Sequence, residues 1–440
     1  MTETKARTML SDMILFHVSD LHLGKTFHGF SLMEDQEFIL ARIIDRISAE
    51  QPDALLIAGD VYDRPVPPPE AIELLDNFLM QCLALVPDLK IVVIPGNHDG
   101  GPRMGFGARL LERQGVHIVT NFQAEPACVL EKHGETAIVW ALPFLSPAVF
   151  RNGWQDDDEV KDAGTTKSEV REFPSQQKLM EFAVSKIHGN EVWKKVESRK
   201  RDVWNDTGQN VDSSVPWRFL VAHCFAAGAN VSDSETSYIG AAEQVGTEVF
   251  SGFDVTALGH LHFFQSPAPR VWYSGSPMPY GVPDAGRKTG LCRITLKSGD
   301  PLAHVECIPR KPLRGFRKLR GFFGDILLSP PSAEEREDYV EITLCDTRPV
   351  ANPLHELRKL YPRIYTLKSE ADEAAAGSSS TAMSETEASL LDPEKAQSDD
   401  TIMQAFIEFH QEMKGKAPSK ESMDQFELLL KEARNAANQA

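Results

Sequence analysis

Short apolar runs that each end in a polar motif recur along the first third of the chain. MILFHVSD (13–20), DALLIAGD (53–60) and KIVVIPGNHD (90–99) are brief and rich in β-branched residues, which predicts buried strands. Between the first two, EDQEFILARIIDRISAE places Phe38, Leu40, Ile43, Ile44 and Ile47 at helical spacing, so one face of a helix is apolar and can cover a sheet. AIELLDNFLMQCLAL repeats the arrangement with Ile72, Leu75, Phe78, Leu79 and Leu83. The alternation of strand, helix and strand predicts an α/β fold over residues 13–149.

Residues 151–216 break this rhythm with charge, two Trp-containing segments and the helix-like QQKLMEFAVSKIHGNEVWKKVESRKR. They read as a helical insertion with looped flanks, in which Trp154, Trp193 and Trp204, with Trp217 just beyond, serve as packing anchors. Strand-like runs resume with WRFLVAHC, DVTALGHLH, RVWYSGSP and GLCRITL. Further on, the basic RKPLRGFRKLRGFF precedes YVEITLCDT, PLHELRKLYP and RIYTLK, which predict a small β-α-β appendage. Residues 371–400, with AAAGSSSTAMSETEAS, have the composition of a disordered linker. Beyond it, Ile402, Phe406, Phe409 and Met413, then Met423, Phe426, Leu430 and Ala433, form apolar helical faces that need a partner.

Composition narrows the class. A chain of 440 residues exceeds one typical core, so several domains are expected. No apolar run approaches the roughly 18 residues of a membrane span, and MTETKARTMLSDM lacks the apolar stretch of a secretory signal. The cytoplasm is therefore the expected location, with no membrane partner. Six scattered cysteines without a C-x-x-C pair fit reduced thiols. A formal net charge of −18 excludes a protein that coats nucleic acid by bulk charge alone.

The chemistry lies where the apolar runs end. Asp20 and His22 stand two apart, so an extended backbone projects both to one side. Asp60 follows Gly59, which permits close backbone approach, and its two carboxylate oxygens can bridge two cations. Asn97 offers a neutral amide oxygen, and His98 beside it an imidazole for proton transfer as the catalytic acid. His223 ends one run, and His260 and His262 end another. Mixed oxygen and imidazole ligands without cysteine suit Mn²⁺, Fe or Zn²⁺ better than an all-oxygen Mg²⁺ cage; two Mn²⁺ ions are the expected cofactors. Asp99 either orients the His98 ring or caps a helix. His17, inside a strand, reads as a core residue, and Lys25 and Arg103 as solvated cations or phosphate contacts.

The ordered set D-x-H, GDVYD, GNHD, a strand-ending His and GHLH resembles the calcineurin-like metallophosphoesterase superfamily. SDLHLGKTFHGFSLMEDQ, LLIAGDVYDRPVPPPEA, VIPGNHDGGPRMGFGARLL, ALGHLH and YSGSPMP are similar, within it, to the SbcD family of bacterial nuclease subunits. That resemblance implies a four-layer sandwich of two facing sheets flanked by helices. It implies a nuclease domain over 13–310, a small α+β capping domain over 311–370 and, after the acidic linker, partner-binding helices over 401–437. Asp20, His22, Asp60 and His262 would hold one metal, and Asp60, Asn97, His223 and His260 the other. Where archaeal and eukaryotic relatives often carry a second functional histidine, this chain has Asp63, as bacterial members commonly do.

The implied function is a DNA exonuclease on double-stranded ends and an endonuclease on hairpins, serving repair, recombination and replication. Its implied partners are DNA and an SbcC-type SMC-like ATPase, with two copies of each in a heterotetramer. The basic 310–322 segment would then help hold DNA. Two other functions stay open: a small-molecule phosphodiesterase or phosphatase on the same site, and a non-catalytic scaffold subunit, which the complete ligand set and His98 disfavour.

Overall fold

The computed structural model describes residues 12–147, 173–197, 215–230, 244–284, 286–297, 300–348 and 350–370, with residues 403, 407, 418–420, 422, 423 and 426 towards the C-terminus. Trp154, Trp204, the 371–400 segment, Ile402, Phe406, Phe409, Met413, Leu430 and Ala433 lie outside the described residues. The contacts divide the chain into two units. One comprises Met1–Thr343 with Asn352–Leu367, and the other Leu344–Ala351 with Lys368–Ala440.

In the larger unit the chain runs β1 (Met13–Val18), a small hairpin of β2 (Thr26–Phe27) and β3 (Phe30–Ser31), α1 (Met33–Glu50), β4 (Ala54–Ala58), α2 (Pro69–Leu85), β5 (Lys90–Ile94) and β6 (Val116–Ile118). Then come β7 (Cys128–Lys132), β8 (Glu135–Leu142), helices Gln176–Gly189 and Glu191–Glu197, β9 (Trp217–His223), β10 (Val255–Gly259), β11 (Gln265–Ala268), β12 (Val271–Tyr273), β13 (Gly290–Leu296) and β14 (His304–Pro309). Two six-stranded sheets result, ordered β14-β13-β1-β4-β5-β6 and β11-β12-β10-β9-β8-β7. β1, β4, β5 and β6 are parallel, as are β8, β9, β10 and β12 in the second sheet.

The sheets meet face to face over Leu15, Leu56, Val92 and Ile94 on one side and Val139, Phe219, Val221 and Ala257 on the other. The outer face of the first sheet is covered by α1 and α2 through Leu40, Ile43, Leu75 and Phe78. The outer face of the second is covered by Leu179, Met180, Ala183, Ile187 and Trp193. This helix–sheet–sheet–helix order is the four-layer sandwich, and it explains why central strands such as β4 are buried along their whole length.

Packing rotates both predicted helical stripes slightly. In α1 the buried apolar side chains are Ile39, Leu40, Ile43 and Ile47, while Phe38 is only half-buried and packs its ring against the Arg42 guanidinium, 4.9 Å away. In α2, Ala71, Leu75, Phe78 and Cys82 are buried and Ile72 is 45% exposed.

A three-stranded sheet, β15 (Phe316–Gly321), β16 (Tyr339–Leu344) and β17 (Ile364–Ser369), holds helix Pro353–Leu360 between its last two strands. Phe316 and Tyr339 pack with Leu32, Ile39, Met278 and Tyr280 of the main body. Arg314, 8% exposed, donates to Asp35 Oδ2 at 2.8 Å and also pairs with Glu34; the Tyr339 hydroxyl donates to the same Asp35 oxygen at 2.9 Å. The smaller unit contains a helical turn in which Met423 N–H donates to the Ser419 carbonyl, and the Cys345 thiol there donates to Glu370 at 3.6 Å. Among the described residues no helix is long and apolar enough to cross a membrane.

Candidate metal centre

Every predicted ligand lies just beyond the carboxyl end of a parallel strand: Asp20 and His22 after β1, Asp60 after β4, Asn97 after β5, His223 at the end of β9, and His260 and His262 after β10. The first three strands belong to one sheet and the last two to the other, so the face-to-face packing brings both ligand sets to one edge. The turns there are sharp. Asp20, His22, Asp60 and His260 have φ of 55°, 43°, 48° and 110°, a region that residues with a Cβ rarely adopt. Four left-handed residues within one site indicate that the surrounding packing imposes the geometry.

Two glycines make the approach possible. A Cβ on Gly96 would overlap Asp60, and one on Gly259 would overlap the Ala58 carbonyl while also meeting His223. The loops are further tied by Asp99, whose carboxylate accepts from the N–H groups of Val61 at 3.0 Å, Tyr62 at 2.8 Å and Gly96 at 2.8 Å. The helix-cap reading of Asp99 is therefore corrected, since the short helix that follows has Gly100 at its N-cap position and no side-chain cap. The His98 ring is held by the Asp63 carbonyl, 3.0 Å from Nδ1.

Asp20, His22, Asp60 and His223 form a buried floor, with exposures of 0–3%. His98, His260 and His262 are half-buried and Asn97 is exposed, so the site opens on that side. Among the described residues three groups of potential ligand atoms converge: Asp20 with His22 and His262, Asp20 with Asp60 and His223, and His22 with Asp63 and His98. Asp60 Oδ2 stands between the first two, 3.9 Å from His22 Nε2 and 3.5 Å from His223 Nε2. Asn97 Oδ1 is 3.0 Å from both His223 Nε2 and His260 Nδ1, and His22 Nε2 faces His262 Nε2 at 3.3 Å.

These contacts fit a cation better than a self-contained network. His223 Nδ1 lies 2.8 Å from the Ala58 carbonyl and so carries the proton, which turns the Nε2 lone pair towards the oxygens of Asn97 and Asp60. Lone pairs do not converge on one another without positive charge between them. Without an ion, a proton has to supply it. Burial would raise the Asp60 carboxyl, but His223, His22 and His98 overcome this and hold it well below the carboxylate range. Burial opposes charge on His223 too, yet Asp60, Asp20 and the Ala58 carbonyl lift it to about 9. Burial pushes Asp20 up to about 6, against the pull of His223 and His262. Burial and the neighbouring His223 push His260 down to about 3, which keeps its imidazole neutral.

Sequence reading passed over several supports. Gln36 on α1 braces the first ligand loop, accepting from Gly24 N–H at 3.0 Å and donating to the carbonyls of Leu21 at 3.2 Å and His22 at 2.6 Å. Tyr280 packs edge-on to His22 and His262 and donates its hydroxyl to the Leu21 carbonyl. Lys25 is held by Asp63 at 2.7 Å, and Arg103 is exposed. Gln36 lies within the polar EDQE stretch and Tyr280 in a Pro-rich loop, so neither carried a local signal. His17 is a buried core residue, as its place in β1 suggests, and burial keeps it neutral.

Among solved structures the chain is similar to a Thermus thermophilus protein, with 11% identity and a TM-score of 0.34 over 68% of this chain and 99% of that one. It is similar to a dimetal phosphatase from Danio rerio, with 8% identity and a TM-score of 0.33 over 67% and 98%. A third is GAP50, the anchor in the inner membrane complex of Plasmodium, with 12% identity and a TM-score of 0.32 over 81% and 96%. Residues 13–264, more than half of the chain and containing all the predicted ligands, match the calcineurin-like phosphoesterase family. The chain belongs to that family.

Proposed function

We propose that this phosphoesterase is the nuclease subunit of an SbcD-type complex, cutting DNA at double-stranded ends and hairpins together with an SbcC-type ATPase in repair, recombination and replication. The observation that carries the reading is the convergence of Asp20, His22, Asp60, His223, His262 and His98, with Asn97 3.0 Å from His223 and His260, at one open edge beside a three-stranded module packed on the same Tyr280 that walls the site. Such a module can restrict which phosphodiesters reach the centre. The motif order and the apolar faces after residue 400 support the partner assignment.

Asp20, His22, Asp60 and His262 would hold one divalent cation, and Asp60, Asn97, His223 and His260 a second, with Mn²⁺ the favoured ion. Two such cations supply charge neutralisation for the phosphodiester and Lewis acidity towards an attacking water. The protein's own part is positional. Asp20 is held by the Ser19 hydroxyl and by the His260 N–H at 3.1–3.2 Å, and Asp60 Oδ1 accepts the His98 N–H at 2.9 Å. With Nδ1 engaged by the Asp63 carbonyl, His98 exchanges its proton through Nε2 and protonates the departing sugar oxygen.

Charge supports a second reading, a small-molecule phosphodiesterase. Within the basic 310–322 segment, Lys311, Arg314, Arg317 and Lys318 each pair with a carboxylate: Glu334, Asp35, Glu335 and Glu341. That leaves less positive charge for DNA than the sequence suggests and moves the burden of DNA affinity to the partner. Copurification with a coexpressed ATPase, followed by Mn²⁺-dependent degradation of linear duplex with and without ATP, tests the nuclease reading. Cleavage of bis-p-nitrophenyl phosphate alone, with no complex formed, would leave only the second.

A further inference from the structure

The carbonyl that holds the His98 ring must itself be held. Asp63 presents that oxygen to His98 Nδ1 at 3.0 Å, at the point where the chain leaves the Leu23–Tyr62 bridge and enters the exposed residues 64–66. The loop after β1 ties Asp63 down twice. Its N–H donates to the Leu23 carbonyl at 3.2 Å, and its Oδ1 accepts from Lys25 Nζ at 2.7 Å. The same Oδ1 lies 3.6 Å from His22 Nδ1.

Lys25 suits this task because its own place is fixed. Its N–H donates to the His22 carbonyl at 3.1 Å, its carbonyl accepts the Leu32 N–H at 3.0 Å, and its ammonium lies 5.7 Å from the centre of the Tyr280 ring. Gln36 braces the same turn from α1. The Lys25 and Asp63 side chains are 20% and 24% exposed, so solvent screens the pair only in part, and a charge-assisted bond of this length is stronger than one between neutral groups. With Lys25 removed, the longer backbone bond to Leu23 carries more of the load at the edge of an exposed loop.

We propose that Lys25 is a positioning residue for proton transfer: its bond to Asp63 fixes the carbonyl that orients the His98 ring. The loop that carries Asp20 and His22 thereby also sets the direction of His98 Nε2. The proposal rests on the reading of His98 as the acid. In the step concerned, the attacking water bonds to phosphorus and releases a proton to solvent, while the bond from phosphorus to the departing oxygen breaks. That oxygen takes the proton of His98 Nε2, which solvent restores. A misplaced acid costs rate to the extent that the departing oxygen needs the proton. A basic oxygen needs it, whereas p-nitrophenolate leaves readily as an anion.

The Mn²⁺-loaded full-length chain is assayed on thymidine 5′-aryl phosphates that differ only in the departing phenol, from p-nitrophenol to phenol. Lys25→Met is expected to keep its Mn²⁺ content and its KM, to hydrolyse the p-nitrophenyl ester near the parent rate, and to lose roughly 10- to 100-fold in kcat on the phenyl ester. Lys25→Arg, which keeps a cation for Asp63, is expected to restore most of that loss. An equal fall on both esters, a rise in KM alone, which would mark Lys25 as a substrate contact, or loss of Mn²⁺ overturns the proposal. His98→Ala is the reference, with the same dependence on the departing group and a larger fall. If His98→Ala shows no such dependence, the acid reading itself fails, and this proposal with it. Should Lys25→Met fail to fold, Asp63→Asn, which keeps the backbone carbonyl and removes the charge that Lys25 holds, is judged by the same outcomes.

Discussion

The Nδ1 atom of His98 lies 3.0 Å from the backbone carbonyl oxygen of Asp63. The ring of the proposed acid is therefore oriented by main chain, and no side-chain substitution at residue 63 removes that acceptor. His98→Ala is expected to keep both cations bound while lowering phosphodiester hydrolysis about 10²–10⁴-fold. Elemental analysis beside a turnover assay checks this, and loss of metal from the variant would show His98 to be a ligand. Asp60→Asn, by contrast, is expected to lower the occupancy of both sites.

Gly96 passes so close to Asp60 that a methyl group cannot be placed there without moving the carboxylate. Gly96→Ala is expected to destabilise the fold by roughly 1–3 kcal/mol, as overpacking does, and to abolish metal binding. Thermal melting with and without Mn²⁺ measures both effects; a variant that gains the same Mn²⁺-induced stabilisation as the parent would contradict the packing argument.

Arg314 and Asp35 join the three-stranded module to α1 through a buried ion pair to which Tyr339 adds a hydrogen bond. Arg314→Met leaves Asp35 buried without its cation and is expected to cost about 3–5 kcal/mol. The double variant with Asp35→Asn should recover part of that loss. Urea unfolding of the single and double variants reports the coupling, and strictly additive losses would mean that the pair does not act as a unit.

His17 supplies a pH dependence. Burial pushes its imidazole down to about 3, below the ordinary value of 6.5, so it is neutral in the folded chain at pH values where the unfolded chain is protonated. Its stabilising contribution is complete above pH 6.5 and is lost as pH falls from there towards 3. Replacing His17 with Leu is expected to flatten the fall in unfolding free energy below pH 6.5, by up to about 1.4 kcal/mol per pH unit. Urea midpoints between pH 7 and about 5 test it. Parallel profiles for the two proteins would show that His17 does not titrate on unfolding.

The strands and the candidate ligands at their ends were legible in the sequence because both are local signals. An apolar run of strand length followed by Asp, His or Asn is visible without knowing what it packs against, and Asp20, His22, Asp60, Asn97, His223, His260 and His262 all lie at such ends. The predicted helices were legible for the same reason, but the faces they bury were not. Whether Phe38 or Ile39, and Ile72 or Ala71, faces inward depends on the height at which each helix crosses the sheet.

The chain order alone therefore determined the fold class, the candidate ligands and His98. Tertiary structure decided what supports them. Asp99 tying three N–H groups, Gln36 bracing the first ligand loop, Asp284 behind His262, and acidic partners for the basic 310–322 segment all join residues distant in sequence. None carries a periodic or spacing signal. Their roles arise only when the chain folds and brings loops and helices far apart in sequence within a few ångströms of each other.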